Sequence, residues 1–395
     1  MIRGKNGLRG CGPDSSFWGV CHVKRPGSQE ALDHGAPRRL QWDLARRGSR
    51  GDQNIMGRVD EDVKRRGREA LASLRRGPSE RTARKSPRAE PEADVAASDD
   101  GENPIELPAF DPPPIEGADA PTRQLLAHAA EDPGPLLLPS VLAIANQKGG
   151  VGKTTTAVNL GAAMAEEGYR VLVVDLDPQS NATTGLGLSA RDLGSSVYDV
   201  VMNNTAIDDC IEPTSLKNLF VAPATIDLAG AEIELVPAMS RELKLRRAID
   251  EVREDYDVVL IDCPPSLGLL TVNGLAAADG VVVPIQCEYY ALEGLGQLLR
   301  NVGLVRSNLN PILDVRGIVL TMYDGRTRLA DQVVDEVRLH FGRRVYETVV
   351  PRTVRLSEAP SFGQPIIVFD STSRGAKAYR ELAKEVCRDA KRRAG

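Results

Sequence analysis

Nine consecutive residues, Lys148-Gly-Gly-Val-Gly-Lys-Thr-Thr-Thr156, constrain this chain more than any other feature. They follow an apolar run, Val141 to Ala145, and lead into a helical pattern from about Lys153. A strand, a glycine-rich turn and a helix N-terminus in that order make a phosphate cradle. Glycine lets backbone N–H groups close around an anion, and the helix dipole favours negative charge there. The pattern predicts nucleoside triphosphate contacts from Lys148, Gly149, Gly150, Val151, Gly152, Lys153, Thr154 and Thr155. Within it, Lys153 is placed to reach the β- and γ-phosphates, and the Thr154 hydroxyl to ligate Mg²⁺. A second lysine, Lys148, four residues before Gly152, departs from the common form of such loops.

The surrounding 395 residues bound the rest. Residues 1–90 carry 21 Lys and Arg against 11 Asp and Glu, whereas residues 91–140 carry 1 against 11. The charge asymmetry therefore lies upstream of the loop. Six cysteines (Cys11, Cys21, Cys210, Cys263, Cys287, Cys387) form no close CxxC pair, which argues against a zinc or iron–sulfur centre and fits a reducing compartment. No apolar run approaches the roughly 20 residues of a membrane span. These features predict a soluble, cytoplasmic protein.

Residues 1–138 read as a disordered, low-complexity extension: Arg- and Gly-rich at first, then proline-rich and acidic, with too little apolar surface to offset ordering entropy. Two other readings of the basic stretch stand beside this one, a DNA-touching arm and translated sequence upstream of the functional start. From 141 to 395 the pattern becomes that of a single α/β domain. Apolar runs at 141–146, 171–175, 219–222, 257–262, 280–285, 316–321 and 345–350 predict strands. Helices are predicted near 153–167, 241–253, 267–277, 292–306, 328–340 and 374–391. All-apolar strands separated by helices imply a doubly wound, mostly parallel sheet, with ligands at the carboxyl ends of the strands.

Two acidic motifs fall at such ends. Asp175 and Asp177 follow Arg170-Val-Leu-Val-Val174, and Asp262 ends the run Val258-Val-Leu-Ile261. A buried strand that delivers a carboxylate beside a phosphate loop suits the Mg²⁺ shell, so Asp262 is the predicted second metal residue with Thr154. Cys263, just beyond, reads as a small packing residue.

With its second lysine, the loop resembles the deviant Walker A motif of the ParA/MinD P-loop NTPases. Further stretches are similar to the ParA/Soj chromosome-partitioning ATPases: Pro223 to Pro237, Gln286-Cys-Glu-Tyr-Tyr290, Leu320 to Thr327 and Val350 to Ser361. The resemblance covers 141–395 and none of 1–138. It implies catalytic roles for Lys148, Lys153 and Asp177: Lys148 acting on a partner's nucleotide, Lys153 on its own, and Asp177 orienting the attacking water. It implies that Pro351 and Thr353 enclose adenine, with Thr353 standing where an asparagine is common. It also implies that Arg326 and Arg355 hold DNA. On this resemblance the protein is an ATPase with ATP and Mg²⁺ as cofactors, forming an ATP-dependent homodimer. That dimer coats double-stranded DNA without sequence preference and is released when a ParB/Spo0J-type protein stimulates hydrolysis, which places it on the nucleoid.

The rival of another class is a MinD-like membrane-cycling ATPase. It needs a C-terminal helix with a free apolar face, whereas Tyr379, Leu382 and Val386 read as one face packed on the core, so no stable membrane association is expected. An iron protein of this loop type would need paired cysteine ligands, a metabolic ligase a substrate pocket, and a tyrosine kinase a C-terminal tyrosine cluster.

Overall fold

A computed structural model describes residues 133–288, 291–388 and 390–392. In chain order the strands are β1 (Leu137–Leu138), β2 (Ser140–Ile144), β3 (Val171–Asp175), β4 (Glu212–Pro213), β5 (Leu219–Ala222), β6 (Val258–Asp262), β7 (Gly280–Gln286), β8 (Asp314–Tyr323), β9 (Val345–Pro351) and β10 (Lys391–Arg392). The helices are α1 (Lys153–Glu166), α2 (Asn181–Gly185), α3 (Val197–Asn203), α4 (Leu228–Glu234), α5 (Lys244–Val252), α6 (Leu269–Ala277), α7 (Ala291–Asn308), α8 (Arg328–Phe341), α9 (Val354–Glu358), α10 (Ile366–Phe369) and α11 (Arg374–Val386).

Eight strands form one sheet in the order β4-β5-β3-β6-β2-β7-β8-β9. Seven run parallel, and β4 alone is antiparallel, against β5. Alternation along each strand divides the core between the two faces. Val141 and Ala143 of β2 point into a cluster with α5, α6, α7 and α8, while Leu142 and Ile144 point into one with α1 and α11. Helices on both faces explain why the strands carry no polar alternation. Helix α1 comes close to the sheet at Gly161, where a Cβ would sit 3.1 Å from a Val173 methyl. The Tyr379, Leu382 and Val386 side chains of α11 are all buried in the same cluster, each contributing about 1.5–3 kcal/mol of burial.

Both edges of the sheet are modified. On one side β4 is two residues long and ends in Pro213. On the other, the Glu385 carboxylate accepts hydrogen bonds from the backbone N–H groups of Glu347 (2.6 Å) and Thr348 (3.0 Å) on β9.

The domain reaches further back than residue 141. Leu136 and Leu138 are buried, β1 pairs in parallel with β10, and Arg316 donates to the Pro133 carbonyl at 3.2 Å. Residues 133–138 therefore belong to the packed domain and not to the extension, because two leucines and an arginine anchor them. The disorder expected of 1–132 lies outside the described residues. At the other end, α11 stops at Val386 instead of near 391, and Lys391 and Arg392 leave it to pair with β1.

Candidate functional site

The phosphate loop joins β2 to α1 and reverses direction with glycines in the left-handed region: Gly150 at φ 76° and Gly152 at φ 87°. An L side chain is strained at such angles, which is why these positions require glycine. Gly152 caps α1 without a side-chain hydrogen bond, and the first turn contains no acidic residue. The free N–H groups and the positive end of this 14-residue helix thus face the loop uncompensated, an arrangement suited to an anion.

Two residues outside the motif hold the loop in place. The Thr321 hydroxyl, at the carboxyl end of β8, shares its one proton between the carbonyls of Val151 (2.8 Å) and Ile285 (3.0 Å). Asn146 donates to the Pro284 carbonyl (2.8 Å) and accepts from the Lys148 N–H (3.0 Å). Sequence reasoning missed both. Their signal is a polar residue at the end of an apolar strand, the same signal that singled out the aspartates.

The two loop lysines have different surroundings. Lys153 is buried, and its Nζ donates to the Lys148 carbonyl at 3.2 Å. Burial lowers its pKa, opposed by the nearby Asp262 and Asp177 carboxylates. Lys148 points away, with its Nζ 3.2 Å from Glu288 Oε2 and side-chain exposures of 36% and 49%. Glu288 is held in turn by Gln286, whose Nε2 donates to Oε1 at 2.5 Å.

The three aspartates separate by their partners. Asp175 is buried and accepts from the Thr183 N–H (2.8 Å), the Thr183 hydroxyl (2.7 Å) and the Asp177 N–H (3.2 Å). Burial outweighs these bonds and pushes its carboxyl up to about 6. Its acceptor sites are occupied by the protein, so it holds the β3 end in shape. Asp177 uses one oxygen to accept from the Gln179 N–H at 2.9 Å, and its other oxygen accepts no hydrogen bond from the described residues.

Asp262 is 0% exposed, and neither of its oxygens has a hydrogen-bond partner among the described residues. Burial first, then the Asp175 carboxylate, drive its pKa well above the carboxylate range, while the Thr154 hydroxyl and the Lys153 ammonium pull it down. A buried carboxylate beside a hydroxyl and a lysine, with neither oxygen hydrogen-bonded among the described residues, has lone pairs left to ligate a metal ion. A hard divalent ion with oxygen ligands fits that donor set. Among the described residues no three His, Cys, Asp or Glu side chains converge as a metal cage, so phosphate and water oxygens would have to complete the shell. Cys263 is buried against Gly274 as packing, and burial raises its thiol pKa.

The remaining predicted residues lie at the same edge of the sheet but apart from the loop. Pro351 ends β9, in register with Tyr323 of β8. The Thr353 hydroxyl is engaged as the cap of α9, accepting from the Leu356 N–H at 3.3 Å. Arg326 is 88% exposed and pairs with Asp324, whose carboxyl it holds down to about 2. Arg355 is 57% exposed, lies 3.1 Å from Glu358 and 3.4 Å from Asp370, and sits over the Phe369 ring. Both arginines reach solvent, but each already has a carboxylate partner.

Comparison with known proteins matches this geometry to a group of nucleotide-binding domains. A family model described as an AAA domain matches residues 139–315. The sporulation initiation inhibitor protein Soj of Bacillus subtilis is 59% identical over 246 residues, 62% of this chain and 97% of that protein. The chromosome partitioning protein ParA of Myxococcus xanthus is 51% identical over 265 residues, 67% of this chain and 94% of that protein. Among solved structures, cobyrinic acid a,c-diamide synthase from Mycobacterium smegmatis, with bound ADP and magnesium, is 43% identical with a TM-score of 0.55, covering 62% of this chain and 92% of that one.

Proposed function

The chain belongs to the Soj/ParA family of chromosome-partitioning proteins, and on that premise we propose that it is an ATP-driven, reversible DNA-binding switch. Its cofactors are ATP and Mg²⁺. The observation that carries the reading is the meeting of three features: the uncapped N-terminus of α1, the buried Lys153, and the unpartnered carboxylate of Asp262.

The N–H groups of Gly149 to Thr155 and the Lys153 ammonium would hold the β- and γ-phosphates of a nucleotide bound at the loop. Thr154 and Asp262 hold Mg²⁺, which when bound neutralises charge on those phosphates. Asp177 orients the attacking water with the oxygen that the Gln179 N–H does not use. Pro351 and Thr353 flank the base, Thr353 through its backbone and methyl, since its hydroxyl is the α9 cap. Lys148 leaves Glu288 to reach the nucleotide of a second subunit, so charge in the transition state is fully neutralised only in the ATP-bound homodimer. The dimer holds double-stranded DNA through Arg326 and Arg355, whose planar donor forks exchange carboxylate for phosphate. A ParB-type protein stimulates hydrolysis, the dimer opens, and DNA is released. On this reading the protein is cytoplasmic and nucleoid-associated.

The burial of Tyr379, Leu382 and Val386 speaks against the membrane-cycling rival, because that face is not available to lipid. No helix among the described residues is long and apolar enough to cross a membrane. A metabolic ligase reading has the Mycobacterium smegmatis protein behind it, at 43% identity against 59% for Soj.

The test is DNA retention by the full chain with ATP, ADP or no nucleotide through a salt titration. Retention that needs ATP and weakens steeply with salt supports the switch. Absence of DNA binding in every state, together with ATP-dependent binding to anionic liposomes, would transfer the reading to the membrane-cycling class.

A further inference from the structure

At the amino ends of β8 and β9, the opposite end of the sheet from the phosphate loop, lies a cavity of about 910 Å³. Five cations, Arg316, Arg338, Arg343, Arg388 and Lys391, line it with two carboxylates, Glu347 and Glu385; Arg316, Arg338, Arg388 and Lys391 make no ion pair with the described residues. Arg316 donates from Nη1 to the carbonyls of Pro133 (3.2 Å) and Pro135 (3.4 Å), and Arg338 donates to that of Glu347 (3.1 Å). Glu385, a carboxylate in the same wall, is committed to the N–H groups of β9. A second feature of the wall is a donor without an acceptor. Tyr346 is 8% exposed, and its buried hydroxyl has no hydrogen-bond partner among the described residues. Its ring lies across Gly317, where any Cβ would collide with it, so packing restrains the ring. Buried hydroxyls are ordinarily satisfied, and clustered cations without counter-charges repel one another.

We propose that this cavity binds the acidic stretch 91–132 of the same chain. That stretch carries eleven Asp and Glu residues against a single Arg123. It runs directly into Pro133, which forms part of the cavity wall, and its last two residues are Glu131 and Asp132. An extended chain spans about 3.3–3.6 Å per residue, so carboxylates as far back as Asp111 reach the cavity easily. Tethering places them there at an effective concentration of order millimolar, without the entropy cost of a separate partner. The inference is independent of nucleotide and of the switch proposed above.

Zero-length carbodiimide coupling in the full chain tests it directly, because Lys391 offers an amine inside the cavity. Tryptic mass spectrometry should find Lys391 joined to Asp111, Glu116 or Asp119. Glu131 and Asp132 are left out of the score because connectivity alone keeps them close. Mixing isotope-labelled and unlabelled protein identifies coupling within one chain. Lys217, beside the far edge of the sheet, is the control. Coupling at Lys391 should exceed that at Lys217, fall as salt is raised to about 1 M, where screening acts within about 3 Å, and be lost in R338E/R388E. Both of those residues are exposed, so the variant should fold, and unchanged thermal unfolding would check it. Coupling equal to that of Lys217, or coupling that survives the charge reversals, overturns the proposal. If coupling is absent and the same reversals weaken DNA retention, the cavity is a nucleic-acid surface instead.

Discussion

Asp262 stands out as a residue whose value to function is paid in stability, and D262N measures that trade. The carboxylate is fully buried, makes no hydrogen bond of good geometry with the described residues, and faces two other aspartates as well as the Thr154 hydroxyl and the Lys153 ammonium. A carboxyl with a higher pKa folded than unfolded holds its proton more tightly in the folded state. Its contribution is therefore fully present below about pH 4 and is lost as pH rises through the folded value. Asp175, pushed up to about 6, contributes in the same direction up to that pH in both proteins. Asp262, raised in the same direction by burial and by the Asp175 carboxylate, adds a loss that the variant lacks. Leaving a buried carboxylate poorly partnered costs about 1–3 kcal/mol, which sets the upper end of the gain on its replacement near 3 kcal/mol. The amide that replaces the carboxylate in the variant is neutral but also poorly partnered, which sets the lower end near 1 kcal/mol. For a domain of this size that range corresponds to a rise in Tm of about 2–12 °C. Thermal unfolding of nucleotide-free protein at pH 5–8 is the assay, repeated with ATP and magnesium. The variant should be more stable than wild type without nucleotide, with a flatter profile above pH 6, and should gain less from magnesium-nucleotide. Equal Tm at pH 7.5, or identical slopes between pH 6 and 8, would refute the reasoning.

Four further outcomes are expected. T321V removes a hydroxyl that serves two buried carbonyls, so stability should fall by about 1–3 kcal/mol and ATP affinity several-fold by titration calorimetry; unchanged values would remove Thr321 from the loop's support. E288Q frees Lys148 from a pair worth about 0–1 kcal/mol per subunit. Sedimentation with ATP should then show dimerisation tighter by up to about 30-fold, and a weaker dimer would contradict the release of Lys148. D177A should still dimerise with ATP while phosphate release slows by about 100-fold or more, so normal turnover would reassign the water-orienting role. R355E should keep basal turnover and reduce the salt slope of DNA binding by about 1.8, since each subunit of the dimer gives up one phosphate contact; an unchanged slope would move the DNA surface elsewhere.

The major strands were legible in the sequence because parallel strands covered on both faces become unbroken Val, Ile and Leu runs. At 171–175 and 219–222 the predicted and observed strands coincide. Short elements left no such trace: α2, α3, α4 and the β1–β10 pair are two to seven residues long, too short for a periodicity to register. Within the site, the residues with unusual chemistry for their position were readable, the lysines and aspartates above all. Their partners were not. Lys148 meets Glu288 across 140 residues, and Thr321 supports Val151 across 170. Both contacts depend on which strand ends the sheet order brings together, and no local pattern encodes that. The ion pairs of Arg326 and Arg355 were equally invisible, although Asp324 and Glu358 lie two and three residues away.

The closed borders of the sheet bear on how such a protein behaves in a crowd. If many copies assemble side by side on one DNA polymer, each exposes its flanks to identical neighbours at high local density. An open β9 would offer the next copy a ready template, and strand addition of that kind ignores nucleotide state and reverses slowly. With Glu385 occupying two N–H groups on one border and Pro213 interrupting the other, the ladder a copy could extend is shortened on both sides. On the reading proposed above, association is then left to surfaces that ATP makes and hydrolysis unmakes.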